Sequence, residues 1–165
     1  MPSKTSATSA IVAGALAGAI SACFTTYMLT KSRTSSLGRP SLEAVTAKDA
    51  APPGGAYSQA IRNGGEVFVS GILPVLPDGT KLNRSSFDEQ VKAVLANLGA
   101  ILAAASSSPQ KLVSVRVYIT DIADWGTFNK HYIDFVGDHR PARAVVPVPC
   151  LHHDFELEVE AVAVI

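Results

Sequence analysis

The stretch SFDEQVKAVLANLGAILAAASSSPQKLVSVRVYIT, residues 86–120, decides the fold class of this chain. Ser86 followed by Glu89 is a capping-box pattern, which predicts that a helix begins here. Apolar side chains then recur at helical spacing and form one stripe: Phe87, Val91, Val94, Leu95, Leu98, Ile101 and Leu102. This periodicity predicts an amphipathic helix that packs its apolar face on another layer.

The second half of the stretch changes to a period of two. From Lys111 to Thr120 every second residue is apolar and β-branched, which predicts a strand. Strict alternation divides its side chains between two faces of a sheet. One face is expected to show Val113, Val115, Val117 and Ile119, and the other Leu112, Ser114, Arg116 and Tyr118.

The remaining segments extend this helix-and-strand pattern in both directions. EVFVSGILPV, residues 66–75, predicts a strand, and LPDGT after it predicts a turn. DWGTFNKHYIDFV, residues 124–136, predicts a second amphipathic helix, and strands are expected at about 144–148 and 157–164. The order β-α-β-α-β-β predicts an α+β sandwich, with both helices on one face of a mixed sheet.

The last predicted strand indicates what covers the other face of the sheet. Glu156, Glu158 and Glu160 alternate with apolar residues and are expected on the helix-free side. Arg116 and Arg143 are candidate counter-charges. Because apolar residues such as Tyr118 are expected beside these charges, the face is predicted to meet another subunit, and closed homo-oligomers are the common solution.

Charge and cysteine content exclude several classes of function. The chain has 165 residues with 14 basic and 14 acidic side chains, but four of the basic residues precede the first acid, Glu43. The main body is therefore mildly acidic, which argues against nucleic acid as a partner. Cys23 and Cys150 suggest neither a disulfide framework nor zinc-ligand spacing, and no metal site is predicted.

Residues 1–42 form a separate leader, and residues 43–165 form the predicted folded domain. Within the leader, Ala10 to Leu29 has no charged residue and is long enough to span a bilayer as one helix, with Lys31 and Arg33 at the interface. Residues 30–41 are expected to form a polar linker. We predict a single-pass membrane anchor; a cleaved targeting peptide for mitochondrial import is the alternative, and an unstructured leader also fits this composition.

Arg143, in the segment HRPARAVVPVPC (139–150), begins an otherwise apolar run. A guanidinium is costly to bury without an anionic partner. Either this side chain faces solvent at the start of a strand, or an anion binds it. A planar fork of donors matches a carboxylate bidentately, which a lysine does less well.

Six segments of the chain resemble, in order and rough spacing, the reactive-intermediate deaminase family, also called RidA or YjgF-like. They are PPGGAYSQAI, VFVSGILP, VLANLGAILAAA, VRVYITDIADWGTFNKHYIDF, RPARAVVPV and LEVEAVAV, and they cover about residues 43–165. The resemblance implies a chorismate-mutase-like α+β fold and a homotrimer with sites in clefts between subunits. It also implies hydrolysis of 2-enamine and 2-imine acids, such as 2-aminoacrylate, to 2-oxo acids and ammonia, without metal or organic cofactor.

The same resemblance assigns roles to individual residues. Arg143 corresponds to the arginine that grips the substrate carboxylate, and Glu158 to the acid near the attacking water. The remaining substrate-binding positions fall on Tyr57, Ser70 and Asn129. The chain departs from many members at two positions, where Ile72 replaces Gln and Val145 replaces Cys, so the identity of the substrate is left open.

The chemistry of these residue types agrees with that assignment. Holding the carboxylate of an imino acid fixes the adjacent carbon that water attacks. A half-buried carboxylate with a raised pKa can deprotonate that water and protonate the leaving amine. Two alternatives remain: a non-catalytic trimer that binds small ligands, and a biosynthetic tailoring enzyme that uses the same cleft.

Overall fold

The computed structural model of the protein describes residues 42–165. The predicted leader, with its candidate membrane span at 10–29 and its linker, lies outside these residues, so the boundary near residue 42 stays a prediction. Within residues 42–165, no helix combines the length and apolar character needed to cross a bilayer.

Six strands and two helices make up the described part of the chain. The strands are β1 (Glu43–Val45), β2 (Ala60–Asn63), β3 (Glu66–Ile72), β4 (Leu112–Ile119), β5 (Ala142–Pro147) and β6 (Leu157–Val164). The helices are α1 (Phe87–Ala104) and α2 (Trp125–Val136). Short 3₁₀ turns at Pro109–Lys111, Ile122–Asp124 and His152–Asp154 complete the connections.

The strands form one mixed sheet in the order β1-β2-β3-β6-β4-β5. β4 and β5 are parallel, and every other neighbouring pair is antiparallel. The last strand, β6, lies between β3 and β4, which therefore run in the same direction. The structure confirms the predicted α+β class, a mixed sheet with two helices.

The helices pack on one face of this sheet and form the core with it. The capping box at the start of α1 is present: the Ser86 N–H donates to Glu89 Oε2 at 3.0 Å, and the Glu89 N–H donates to Ser86 Oγ at 3.4 Å. The predicted stripe of α1 is buried apart from the half-buried Phe87. Complete burial of an aliphatic side chain of this size contributes roughly 1.5–3 kcal/mol.

Two strands precede those predicted from the sequence. β2 and β3 form a hairpin in which Asn63 pairs with Glu66, so the loop is Gly64–Gly65. Both glycines have positive φ, 59° and 108°, which suits the tight two-residue turns of hairpins. The strand before this turn was not predicted from the sequence, because four residues are too few to show a period. β1, with three residues, escaped prediction for the same reason.

The predicted faces of β4 are wrong at its first residues. Leu112 is 2% exposed and Val113 is 48% exposed, the reverse of the expected pattern. The pairing of β4 with β6 is irregular between Leu112 and Ser114, so the alternation is displaced at this point. From Val115 onward the predicted alternation holds, and Val115, Val117 and Ile119 are fully buried.

The expected row of three carboxylates on the helix-free face is reduced to two. Glu156 lies just before β6, and its Oε2 accepts a hydrogen bond of 2.6 Å from Gln90 Nε2 on α1. The Glu156 N–H donates to Gln90 Oε1 at 3.0 Å, so both ends of the buried Gln90 side-chain amide are hydrogen-bonded to Glu156. Glu158 and Glu160 remain on the helix-free face.

Candidate functional site

The residues singled out in the sequence gather in two places. Tyr57, Ser70 and Ile72 line one cavity of about 220 Å³, and Gly71 lines it as well. The carboxylate of Glu158 lies directly against Gly71. These five residues are called the acid half-site below.

Hydrogen bonds to the neighbouring loop hold the acid half-site in place. Ser70 Oγ donates to the Ser58 carbonyl at 2.7 Å, and the Ser70 N–H donates to the Gln59 carbonyl at 3.1 Å. The Gly54 N–H donates to Tyr57 Oη at 3.0 Å. The Ser70 hydroxyl proton therefore joins β3 to the loop before β2, which supports a structural role for this residue in the wall of the cavity.

Glu158 is the acid of this half-site, and its surroundings favour the protonated form. Burial raises the pKa of the Glu158 carboxyl, and the charge of Glu160 raises it further, while His152 lowers it. The neighbouring Glu160 has a cationic partner: Arg116 Nη1 lies 2.7 Å from its Oε1, and Tyr118 Oη donates to the same oxygen at 3.2 Å. The predicted counter-charge Arg116 thus pairs with Glu160, and Glu158 keeps a raised pKa.

Arg143 belongs to a second group, with Asn129, Tyr132 and Arg140, which is called the arginine half-site below. These side chains line a cavity of about 410 Å³ between β5 and α2. Arg143 Nη2 donates to Asn129 Oδ1 at 2.9 Å, and the guanidinium carbon lies 4.7 Å from the centre of the Tyr132 ring. Among residues 42–165, Arg143 makes no ion pair with a carboxylate.

Sequence reasoning missed two members of the arginine half-site. Tyr132 is 5% exposed and lies one helical turn after Asn129, so the 3.6-residue period of α2 was the available signal. Burial raises the pKa of its hydroxyl, while the charge of Arg143 lowers it. Arg140 lies just after the C-terminus of α2, and its Nη1 donates to the carbonyls of Gly137 and His139.

Arg143 and Glu158 lie on opposite faces of the sheet. On β4, buried Val115 is in register with Arg143 of β5, and the Arg143 side chain contacts α2 on the helix-covered face. Glu158 of β6 lies opposite Tyr118 of β4, on the helix-free face. Within one chain, the fold therefore brings Tyr57, Ser70 and Glu158 together, but it does not bring Arg143 and Asn129 to them.

One of the two unusual residues noted in the sequence belongs to the acid half-site, and the other lies near Arg143. Ile72 is 6% exposed and forms part of the cavity wall next to Gly71. Val145 packs partly buried against the core, two residues after Arg143 on the same face of β5. Ile72 places an aliphatic side chain in the wall of the first cavity, whereas Val145 is not among the residues that line the second cavity. Within residues 42–165, no three His, Cys, Asp or Glu side chains are arranged to hold a metal ion.

A family model described as endoribonuclease L-PSP matches residues 48–165. Among curated proteins, a RutC family protein of Pyrococcus abyssi is 37% identical over 121 residues, which cover 73% of this chain and 95% of that protein. Protein MMF1, mitochondrial, of Saccharomyces cerevisiae is 35% identical, with 77% of this chain and 87% of that protein covered. Reactive Intermediate Deaminase A, chloroplastic, of Arabidopsis thaliana is 33% identical, with 73% and 65% covered.

Solved structures show the same similarity in three dimensions. The crystal structure of yeast Mmf1 superposes with a TM-score of 0.72 at 35% identity, covering 75% of this chain and 98% of that chain. The crystal structure of Escherichia coli TdcF with bound serine gives a TM-score of 0.69 at 32% identity, covering 74% of this chain and 98% of that chain. The similar region is in each case close to the whole of the solved chain.

Proposed function

Because this chain belongs to the endoribonuclease L-PSP family, also known as the RidA or YjgF-like family, we propose that it hydrolyses 2-enamine and 2-imine acids of the 2-aminoacrylate type. The products are the corresponding 2-oxo acid and ammonia. The Arabidopsis relative, Reactive Intermediate Deaminase A, supports a deaminase-like role at 33% identity. The choice of substrate rests on the chemistry of the two half-sites.

The observation that carries the proposal is the environment of the Arg143 guanidinium. Its guanidinium is half-buried in a cavity, held by a neutral amide and an aromatic ring rather than by a carboxylate. A cation in such a place gains most from a small anion that enters the cavity. The carboxylate of an imino acid fits this requirement, and its binding fixes the position of the adjacent C=N carbon.

Glu158 is proposed to move the protons of the reaction. In its charged form it takes a proton from water as the oxygen attacks the C=N carbon, and it returns that proton to the imine nitrogen, which becomes the amine of a carbinolamine. It then takes the proton of the carbinolamine hydroxyl and passes it to the nitrogen, so that the C=O bond forms as the C–N bond breaks and ammonia leaves. A carboxyl group whose pKa is raised by burial exchanges protons more readily near neutral pH than an ordinary one.

Assembly is proposed to complete the site. Since Arg143 and Glu158 face opposite sides of one sheet, a substrate that touches both needs half-sites from two copies of the chain. The helix-free face also exposes apolar side chains, among them Phe68 at 42% and Val146 at 37%. A homotrimer with one site in each cleft between subunits is the arrangement that the family resemblance implies.

The test is direct. Imino acids are generated in place by an amino-acid oxidase acting on neutral amino acids, and the release of oxo acid and ammonia is followed with and without this protein. We expect faster release with the wild-type protein than in buffer, and release at the buffer rate with a folded Arg143→Ala variant. Equal rates for the wild-type protein and buffer with every imine tested would overturn the proposal.

A second candidate function is ligand binding without catalysis. The observation that favours it is the structural neighbour TdcF, which was solved with bound serine. If this chain is a binder, calorimetry with serine and related amino acids gives saturable heats while imine release stays at the buffer rate. Substrate turnover with ordinary saturation kinetics excludes a purely binding role.

RNA cleavage, which the family description mentions, receives less support from this chain. Residues 43–165 contain 14 acidic and ten basic side chains, and RNA binding relies on clustered Lys and Arg. A labelled single-stranded RNA incubated with the same preparation tests this reading, and we expect it to remain intact.

The location of the protein also stays a proposal. A single membrane helix at 10–29 places the domain next to Lys31 and Arg33 at the membrane surface. Removal of the leader during mitochondrial import is the alternative, and the mitochondrial designation of the yeast relative MMF1 supports it. Both forms leave the same folded domain beyond residue 42.

A further inference from the structure

We infer that Gly71 is a positioning residue for Glu158: the missing side chain at residue 71 leaves the space that the Glu158 carboxylate occupies. The inference rests on the proposed role of Glu158 in the reaction. It goes beyond that role because Gly71 itself supplies no reacting group, and nothing in the sequence pattern singled it out from the other glycines.

The first observation is the close approach of the carboxylate to the Gly71 backbone. A Cβ atom placed on Gly71 overlaps Glu158 Oε1 and lies 3.0 Å from Glu158 Cδ and 3.5 Å from Cγ. Contacts below 3.4 Å are tighter than nearly all real Cβ contacts. Since the carboxylate group itself is in the way, an alanine at residue 71 forces the Glu158 side chain into another rotamer.

The second observation is the local strand geometry. Val69 of β3 pairs with Ala161 of β6, and Ile72 pairs with Val159, so Ser70 and Gly71 together face only Glu160. This is a β-bulge, a device that often re-aims side chains next to functional sites. The bulge brings the backbone of residue 71 toward the side chain of Glu158.

The reason for a glycine at residue 71 is the space it leaves for a side chain, not its backbone conformation. Gly64, Gly65, Gly79 and Gly137 have positive φ and open space around them, so backbone conformation explains them. Gly71 has no positive φ, so an alanine there is not strained by backbone conformation. The only obstacle to a side chain is the Glu158 carboxylate.

The groups around Glu158 leave it few other positions. Glu160 lies on the same face of the sheet as Glu158 and is already paired with Arg116, whose Nη1 is 2.7 Å from Glu160 Oε1. Tyr118 lies opposite Glu158 on β4, and His152 approaches from the turn before β6. A Glu158 carboxylate displaced from Gly71 therefore turns toward solvent.

The test compares Gly71→Ala with a matched control, Gly126→Ala. Gly126 lies in the first turn of α2, and no atom within 4 Å obstructs a Cβ there. We expect Gly126→Ala to keep the imine-hydrolysis rate and Gly71→Ala to lower kcat on the order of 100-fold with a smaller change in KM, as for a misplaced reacting group. The residual activity of Gly71→Ala is also expected to extend to lower pH, because a carboxyl moved into solvent loses the burial that raises its pKa.

A double-mutant cycle with Glu158→Ala separates positioning from a general structural role. In the wild-type background Gly71→Ala should change the melting temperature and its dependence on pH, because the Glu158 carboxylate has to move, and in the Glu158→Ala background it should change neither. If Gly71→Ala alone fails to fold, folding of the double variant is the expected result. An equal change of melting temperature in both backgrounds, or unchanged kcat and pH profile in Gly71→Ala, overturns the inference. The thermal measurements decide it even if the wild-type protein proves not to hydrolyse imines.

Discussion

Arg143 and Glu158 lie on opposite faces of one sheet, although the proposed reaction needs both. Arg143 is in register with buried Val115 and contacts Asn129 of α2, whereas Glu158 lies opposite Tyr118 on the helix-free face. A single chain therefore holds two incomplete half-sites. The proposed activity therefore depends on the assembly of at least two copies of the chain.

Activity should be restored by mixing two inactive variants. In a trimer assembled from equal amounts of Arg143→Ala and Glu158→Gln chains, a cleft that takes its arginine from one chain and its acid from the other can be intact. Random assembly gives roughly a quarter of such clefts in a closed cyclic trimer. The two chains are refolded together and assayed for imine hydrolysis. Failure to recover activity in a proven mixed trimer contradicts a shared site.

Arg143→Ala should abolish imine hydrolysis and leave the fold intact. Loss of a charge-assisted bidentate pair raises the barrier by on the order of 2–5 kcal/mol. Arg143→Lys keeps the charge but loses the planar fork, so its rate is expected to fall between those of Arg143→Ala and the wild-type protein. Steady-state kinetics measure the rates, and circular dichroism checks the fold. Unchanged turnover in a folded Arg143→Ala variant removes Arg143 from the substrate site.

The stability of the protein should depend on pH through Glu158. Burial raises the pKa of this carboxyl in the folded state above its value in the unfolded chain. Its favourable contribution is therefore complete below about pH 4 and is lost as the pH rises through the folded pKa. Glu158→Gln does not titrate, so the melting temperature of the variant relative to wild type should be higher at pH 7 than at pH 4. Thermal unfolding at both pH values measures this, and a difference that is independent of pH contradicts it.

Assembly should depend on the helix-free face of the sheet. Phe68→Asp places a charge on that face, where Phe68 is 42% exposed in the single chain, and should convert a trimer of residues 43–165 into monomers. Ile122→Asp is the matched control, because Ile122 is 54% exposed in the turn before α2, away from this face. Light scattering at micromolar concentration gives the masses. A monomeric wild-type protein refutes the trimer and the shared cleft together.

The two hypotheses for the leader, a membrane helix and a cleaved import signal, predict different measurements. If residues 10–29 form a membrane helix, the full-length protein should resist carbonate extraction and keep its N-terminus near Met1. If the leader is an import signal, the mature chain should be extractable and begin between about Thr30 and Lys48. Fractionation followed by N-terminal sequencing distinguishes the two. An extractable chain with this cleaved N-terminus shows that the membrane anchor is wrong.

Local patterns in the sequence were sufficient for the elements that are long or capped. The apolar stripe of α1 and the Ser86 capping box were both predicted and are both present. The alternation in β6 was also predicted correctly, with Leu157, Val159, Ala161 and Ala163 on the buried face. These features depend on residues a few positions apart, so the sequence by itself determines them.

The tertiary structure decided the features that depend on strand pairing. Leu112 and Val113 exchange faces because β4 pairs irregularly with β6, and Gly71 adjoins Glu158 because β3 bulges against the same strand. No periodicity in the sequence indicates either irregularity. Since each arises between segments far apart along the chain, only the folded sheet contains it.

The sequence also determined which residue types form the candidate site, but not their arrangement. The resemblance predicted Arg143 and Glu158 as site residues, which stays a prediction, and the predicted counter-charge Arg116 does pair with Glu160. Which face each side chain occupies follows from the insertion of β6 between β3 and β4 and from the register of β5 on β4. Because register sets the face of every side chain in a strand, long-range pairing alone separated Arg143 from Glu158 and divided the site between two half-sites.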